Sequence, residues 1–225
     1  MAIIMIQTQA SLTLMSNRLF IAFLFFPLLS FSQVSDAQLW TGFAVSKKNN
    51  DFKFSVSQEY RRFENFSQTK KMFTEFEAEY ELIKDLSFSI TYRFNQDRNH
   101  EYGGFDFNHR FNFDLGYEYS INDIDFFIRT RYQVSKSIYD SDKINRNKIG
   151  VKYKISDHFR PYISTELFYQ FNNIRAFNRY RIELGNRFKI NKTNSIKFGY
   201  LYENKFNRIN LQRNHIYFIN YSLEI

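Results

Sequence analysis

Residues 71–94 read KMFTEFEAEYELIKDLSFSITYRF. Met72, Thr74, Phe76, Ala78, Tyr80 and Leu82 alternate with Lys71, Phe73, Glu75, Glu77, Glu79 and Glu81. After the turn Ile83-Lys84-Asp85 the alternation resumes. Leu86, Phe88, Ile90, Tyr92 and Phe94 interleave with Ser87, Ser89, Thr91 and Arg93. A period of two is the mark of a strand, because successive side chains point to opposite faces. On a helix the four glutamates would scatter around the circumference; on a strand they form one acidic row. Unpaired carboxylates cannot sit in a dry core, and the aromatic face opposite them is poorly suited to water. The hairpin therefore separates an oily medium from a wet or cationic one.

The pattern extends along the chain. Strands are predicted at 39–46, 52–62, 106–120, 125–136, 146–156, 160–171, 179–190, 195–203 and 214–225, in addition to the two of the hairpin. Tight turns fall near residues 49, 84, 122, 157 and 192. Longer polar loops fall near 66, 100, 140, 175 and 208, with 137–145 read as one of them. No helix signal follows residue 37, so the reading is a single all-β meander.

Alternation alone does not say which face is inside. A soluble sandwich turns its apolar face inward, whereas a membrane barrel turns it outward. Strands of roughly 9–13 residues exceed the soluble norm and match the span of a bilayer. Short turns alternating with longer loops are the outer-membrane habit. The chain also finishes on an apolar-alternating strand. Only a closed barrel leaves no unpaired edge in lipid. Tyr60, Phe94, Tyr119, Tyr169, Tyr202 and Tyr217 are then expected at the two interfaces. Eleven strand-like segments are visible, but single-chain bacterial barrels have even strand numbers. The expectation is an antiparallel up-and-down transmembrane β-barrel of about ten strands, or twelve, with 39–46 as an extra segment in the lumen or near the seam.

Ahead of the barrel, Leu19 to Leu29 reads LFIAFLFFPLL after Asn17 and Arg18. A short apolar run behind a basic residue reads as a secretory signal peptide with Met15 as its start. Cleavage is expected between Ser32 and Gln38, after Ser32 or after Ala37. This gives a leader over 1–37 and one barrel domain over 38–225.

The net charge of +8 is dispersed among Asp and Glu, without the clustered footprint of nucleic-acid binding. With no Cys in the chain, a disulfide scaffold, thiol catalysis, a Cys-based zinc site and a lipid-modified N-terminal Cys are excluded.

Several segments carry a family resemblance. They are LWTGF (Leu39 to Phe43), EYRR (Glu59 to Arg62), HRFNFDL (His109 to Leu115), FRPYISTELFY (Phe159 to Tyr169) and RYRIELG (Arg179 to Gly185). Together the chain resembles the Bacteroidota outer-membrane barrels grouped as domain of unknown function 2490. The resemblance implies an outer-membrane β-barrel and brings no activity, cofactor or catalytic residue.

The polar face supplies the candidate functional residues. Glu59, Arg61, Glu75, Glu77, Glu79 and Glu81 come from the first strands, followed by Arg93, Arg110, Asp114 and Glu118. Arg129, Arg131, Lys152 and Glu166 continue the series, and Arg179, Arg181, Glu183 and Arg187 complete it. Cross-strand pairing with Arg61 and Arg93 is the expected fate of the acidic row. Such charges either interlock or line a thin polar channel. His100, His109, His158 and His215 show no HxH or HExxH spacing, so no metal or other cofactor is expected.

Three functions fit this pattern. The first is a narrow channel or structural barrel in the outer membrane. The second is an outer-membrane lipid hydrolase, with His109 or His215 as its base. The third is a soluble periplasmic barrel holding an apolar ligand. For the first, the expected partners are outer-membrane lipid and the barrel-assembly machinery, with no nucleic acid. The oligomeric state is left open.

Overall fold

A computed structural model describes residues 35–99, 101, 103–137, 141–172, 174–207 and 211–225. The signal peptide expected over 1–37 lies almost wholly outside these residues, as does His100. The described chain is all strand and turn: β1 (Ser35–Asn49), β2 (Phe52–Phe63), β3 (Gln68–Ile83), β4 (Leu86–Arg98), β5 (Phe105–Ile121) and β6 (Ile124–Lys136). It continues with β7 (Ser141–Tyr153), β8 (Phe159–Gln170), β9 (Ala176–Lys189), β10 (Asn194–Lys205) and β11 (Gln212–Glu224). Each strand pairs antiparallel with its sequence neighbour, and the sheet closes into a barrel by pairing β1 with β11.

That closure corrects the expected strand number. The segment at 39–46 is not a lumen plug; it lies at the seam, the other place expected for it. It is the core of β1, paired antiparallel with β2 and parallel with β11 in unbroken register from Ser35–Arg213 to Ser46–Glu224. Eleven strands close the described barrel, not ten or twelve. The even-number rule assumes that first and last strands run in opposite directions. Here both run from the loop rim to the turn rim, and a parallel ladder, though slightly weaker per residue, also pairs their edge groups. Two other boundaries move. β1 begins at Ser35, ahead of residue 38, and β7 begins at Ser141, inside the stretch read as a polar loop. Ile144 explains the second shift: it turns inward and is buried, so 141–145 already alternates as a strand.

Local chemistry sets the tight turns. Asn50, Asp85 and Asn122 adopt positive φ angles of 54°, 69° and 52° in the turns after β1, β3 and β5. Asn and Asp tolerate this left-handed conformation better than most residues, and it matches the twist of a two-residue hairpin.

The apolar face looks outward. Phe76, Tyr80 and Ile90 are 49%, 37% and 45% exposed, while Ser89, Thr91, Arg93, Asn95, Asn112 and Asp114 are buried. This inversion of the usual soluble core overturns the soluble ligand-binding alternative, whose greasy face would be enclosed. Outward aromatic clusters mark both rims. Tyr92, Phe94, Phe107 and His109 stack near the loops, and Phe52 meets Tyr80 near the turns. Tyr119 and Tyr217, two of the residues expected at the interfaces, face outward and are exposed.

Candidate functional site: the lumen

The inner wall carries nearly every polar residue singled out from the sequence. Glu75 accepts from Arg93 at 2.5 Å, and Glu59 from Arg61 at 2.5 Å, so Arg61 binds its own strand rather than the acidic row. Farther along that row, Glu77 accepts from the Thr91 hydroxyl, Glu79 stands opposite Lys53 and Glu81 meets Lys48 at the turn rim. Asp114 takes both Nε and Nη2 of Arg131 at 2.5 Å each, a bidentate pair with both side chains buried.

Three further carboxylates act as hubs. Glu166 on β8 receives Arg129 at 2.8 Å and Arg146 at 2.9 Å, with Arg181 at 3.8 Å. Glu183 on β9 receives Lys148 at 2.7 Å, Lys197 at 2.9 Å and the Tyr162 hydroxyl at 2.6 Å. Glu203 on β10 receives Arg181 at 2.7 Å and the Asn214 amide at 2.8 Å. Register explains the web. Glu166, Arg181 and Glu203 are direct partners across three strands, so one inner row alternates in sign.

Apolar groups also enter the lumen. Trp40, Leu201, Ile216 and Phe218 form a buried cluster beside the parallel seam, with Tyr162 packed against it. Arg61 stacks on Trp40 at 3.5 Å, and Arg93 on Phe73 at 3.8 Å. A guanidinium on an aromatic face keeps its charge while both shed water. Glycines make room for the rings. Phe127, Tyr162 and Phe218 stand directly opposite Gly150, Gly185 and Gly199. A Cβ on Gly150 would come within 2.5 Å of Phe127 Cζ and 2.6 Å of the Ile163 carbonyl oxygen.

Two cavities lie in the lumen among the described residues. The loop-side cavity, of about 430 Å³, is lined by ten basic side chains and three carboxylates, Asp97, Asp142 and Glu203. The turn-side vestibule, of about 340 Å³, is lined by seven basic side chains and one carboxylate, Glu118, which binds Lys152. Of the residues proposed from sequence, Arg61, Arg93, Arg110, Arg131, Arg179 and Arg181 reach the first cavity, and Glu118, Arg129, Lys152 and Arg187 the second. Sequence reasoning missed Trp40, Lys70, Arg146, Arg160, Lys189 and Lys197. All but Lys70 lie on the inner face by the same alternation as the residues it named. Lys70 was read as loop, although β3 begins at Gln68.

Among the described residues, the histidines gather no catalytic set. His109 and His215 lie among outward aromatics and bond the hydroxyls of Tyr92 and Tyr200 at 2.7 and 2.5 Å. His158 bonds the Lys189 carbonyl oxygen at 2.7 Å. The partners of His109 and His215 are tyrosines rather than serines, and among the described residues no grouping of His, Asp and Glu could hold a metal ion.

The family model described as protein of unknown function, DUF2490, matches residues 37–214. The chain belongs to this family. No curated protein matches it. Among solved structures, the chain is similar to the NanC porin, with 15% identity and a TM-score of 0.49 over 73% of this chain and 86% of that one. It is also similar to the outer-membrane OmpT of Vibrio cholerae, with 14% identity and a TM-score of 0.40 over 68% of this chain and 55% of that one. The family match begins at Ala37, inside β1, and covers all of β2 through β10, so the lumen described above is built almost entirely from family sequence.

Proposed function

We propose that this family member is an outer-membrane barrel forming a narrow channel that favours small anions. The observation that carries the reading is the excess of basic side chains in the lumen, greatest in the turn-side vestibule, where seven stand against one lining carboxylate and three of the seven reach none among the described residues. Walls of one sign in a low-dielectric tube raise the local concentration of counter-ions and repel co-ions. Between the cavities, the Glu166 and Glu183 hubs and the Trp40 cluster narrow the path, so the expected solutes are small.

Export through the signal peptide, insertion by the barrel-assembly machinery and a surround of outer-membrane lipid belong to the same proposal. Signal cleavage after Ser32 suits it better than cleavage after Ala37. Asp36 accepts from the Glu64 amide and from Gln38, each at 2.6 Å, and the later cut would remove it from β1.

Planar-bilayer recording of refolded protein across a potassium chloride gradient tests the channel. Discrete steps with a reversal potential toward that of chloride are expected. A silent bilayer would favour a purely structural barrel, and a cation preference would reject the electrostatic argument.

A further inference from the structure

The turn-side vestibule contains an arrangement that the rest of the lumen avoids. Arg160 on β8 and Arg187 on β9 are direct cross-strand partners, and Lys197 on β10 is the direct partner of Arg187. By strand alternation all three turn inward, and all three line the vestibule. Like charges placed opposite one another destabilise a sheet. Elsewhere the same juxtaposition is neutralised within the wall. Arg93 stands opposite Arg110 but holds Glu75, and Arg131 stands opposite Arg146 while they hold Asp114 and Glu166.

Two of the three members of this row lack such compensation, and so does Lys189 beside them. Among the described residues, none of Arg160, Arg187 and Lys189 makes an ion pair with a carboxylate. The Arg160 Nε is buried without an acceptor, a costly state for a charged donor. Lys197 shares its only carboxylate, Glu183, with Lys148 and the Tyr162 hydroxyl. The vestibule's basic side chains exceed by four the carboxylates they reach, Glu118, Glu166 and Glu183. The cavity of about 340 Å³ is within the range that holds small ligands.

From this geometry we infer that Arg160, Arg187, Lys189 and Lys197 form a binding site for a small, multiply charged oxyanion. This rests on the lumen being open to solutes from the turn-side rim. Two planar guanidinium forks from adjacent strands suit oxygens in pairs, and the two ammonium groups add charge without demanding orientation. A ligand with a single charge would leave most of the excess standing, whereas pyrophosphate or a tricarboxylate would offset it.

The test is calorimetric titration of the refolded full chain in detergent, at low salt, with sodium pyrophosphate and separately with citrate. Saturable binding of at least one is expected, and their ratio distinguishes phosphate from carboxylate recognition. The R160Q/R187Q variant should bind at least roughly tenfold more weakly, as expected for loss of charge-assisted bonds. The K70Q/R110Q variant, altered in the other cavity, should stay within about twofold on the same reasoning. Absence of binding by either anion, or equal losses in the two variants, would overturn the site. Should R160Q/R187Q fail to show heat-modifiable migration, K189Q alone serves, with a smaller loss expected and an unchanged affinity counting against the site. Binding without bilayer conductance would keep the site and remove the channel. Conductance without binding would do the reverse.

Discussion

The two lumen cavities are built from the same kind of strand face, yet they treat their charge differently. In the loop-side cavity, eight of the ten basic side chains end on a carboxylate. The other two, Lys70 and Arg110, bond the neutral oxygens of Gln38 and Ser135 at 3.1 and 3.0 Å. In the turn-side vestibule four of seven reach a carboxylate, and two of those three carboxylates, Glu166 and Glu183, are shared. The first cavity is a scaffold whose cations are already engaged. The second keeps cations in reserve for a solute. A count of Arg and Lys on the inner face therefore overstates how much charge is available, and cross-strand partnership decides the remainder.

The sharpest way to break this contrast is to remove a hub acid. Asp114→Ala strands the buried Arg131 guanidinium, and loss of one partner from a buried pair costs about 3–5 kcal/mol. Urea unfolding of the refolded barrel should register that loss. A change below about 1 kcal/mol would place the pair in the class of exposed ones. Next in size is Gly150→Val, which drives a side chain into Phe127 and the Ile163 carbonyl oxygen. Overpacking of this kind costs about 1–3 kcal/mol, measured in the same way.

Arg160→Gln with Arg187→Gln should behave oppositely to the hub acid. Removing an uncompensated like-charge row is expected to leave stability unchanged or to raise it by about 0.2–1 kcal/mol, while lowering the anion preference in bilayer recordings. A large loss of stability would mean that the row has a structural partner and would merge the two regions into one class. Smallest is Lys48→Gln at the turn rim. Its pair with Glu81 spans 3.1 Å between half-exposed side chains. The loss should be within about 1 kcal/mol and should vanish in high salt, which a salt titration of the unfolding midpoint would show.

Strand order and face were legible because period two is a local property. The row from Glu75 to Glu81 names its own side of the sheet, and Phe76, Tyr80 and Ile90 name the other; their exposure agrees with that reading. Two of the missed lumen residues were hidden by type rather than by position. Trp40 and Phe168 are apolar but sit on the polar parity, and both are buried inside the barrel. Nothing in their own segments says that arginines will cover them. Arg61 stacks on Trp40 from the neighbouring strand, whereas Arg146, Arg179 and Arg181 gather on Phe168 from the strands on either side.

From the sequence alone, then, came the strands, their tight turns and the division of each into a lipid face and a lumen face. These depend on side-chain alternation and turn chemistry within a few residues. Only the tertiary structure decided that β1 closes on β11 in parallel, that eleven strands complete the described barrel, and which cations find a carboxylate. Those outcomes depend on register between strands distant in sequence. A one-residue slip there would exchange every partner while leaving the local pattern unaltered.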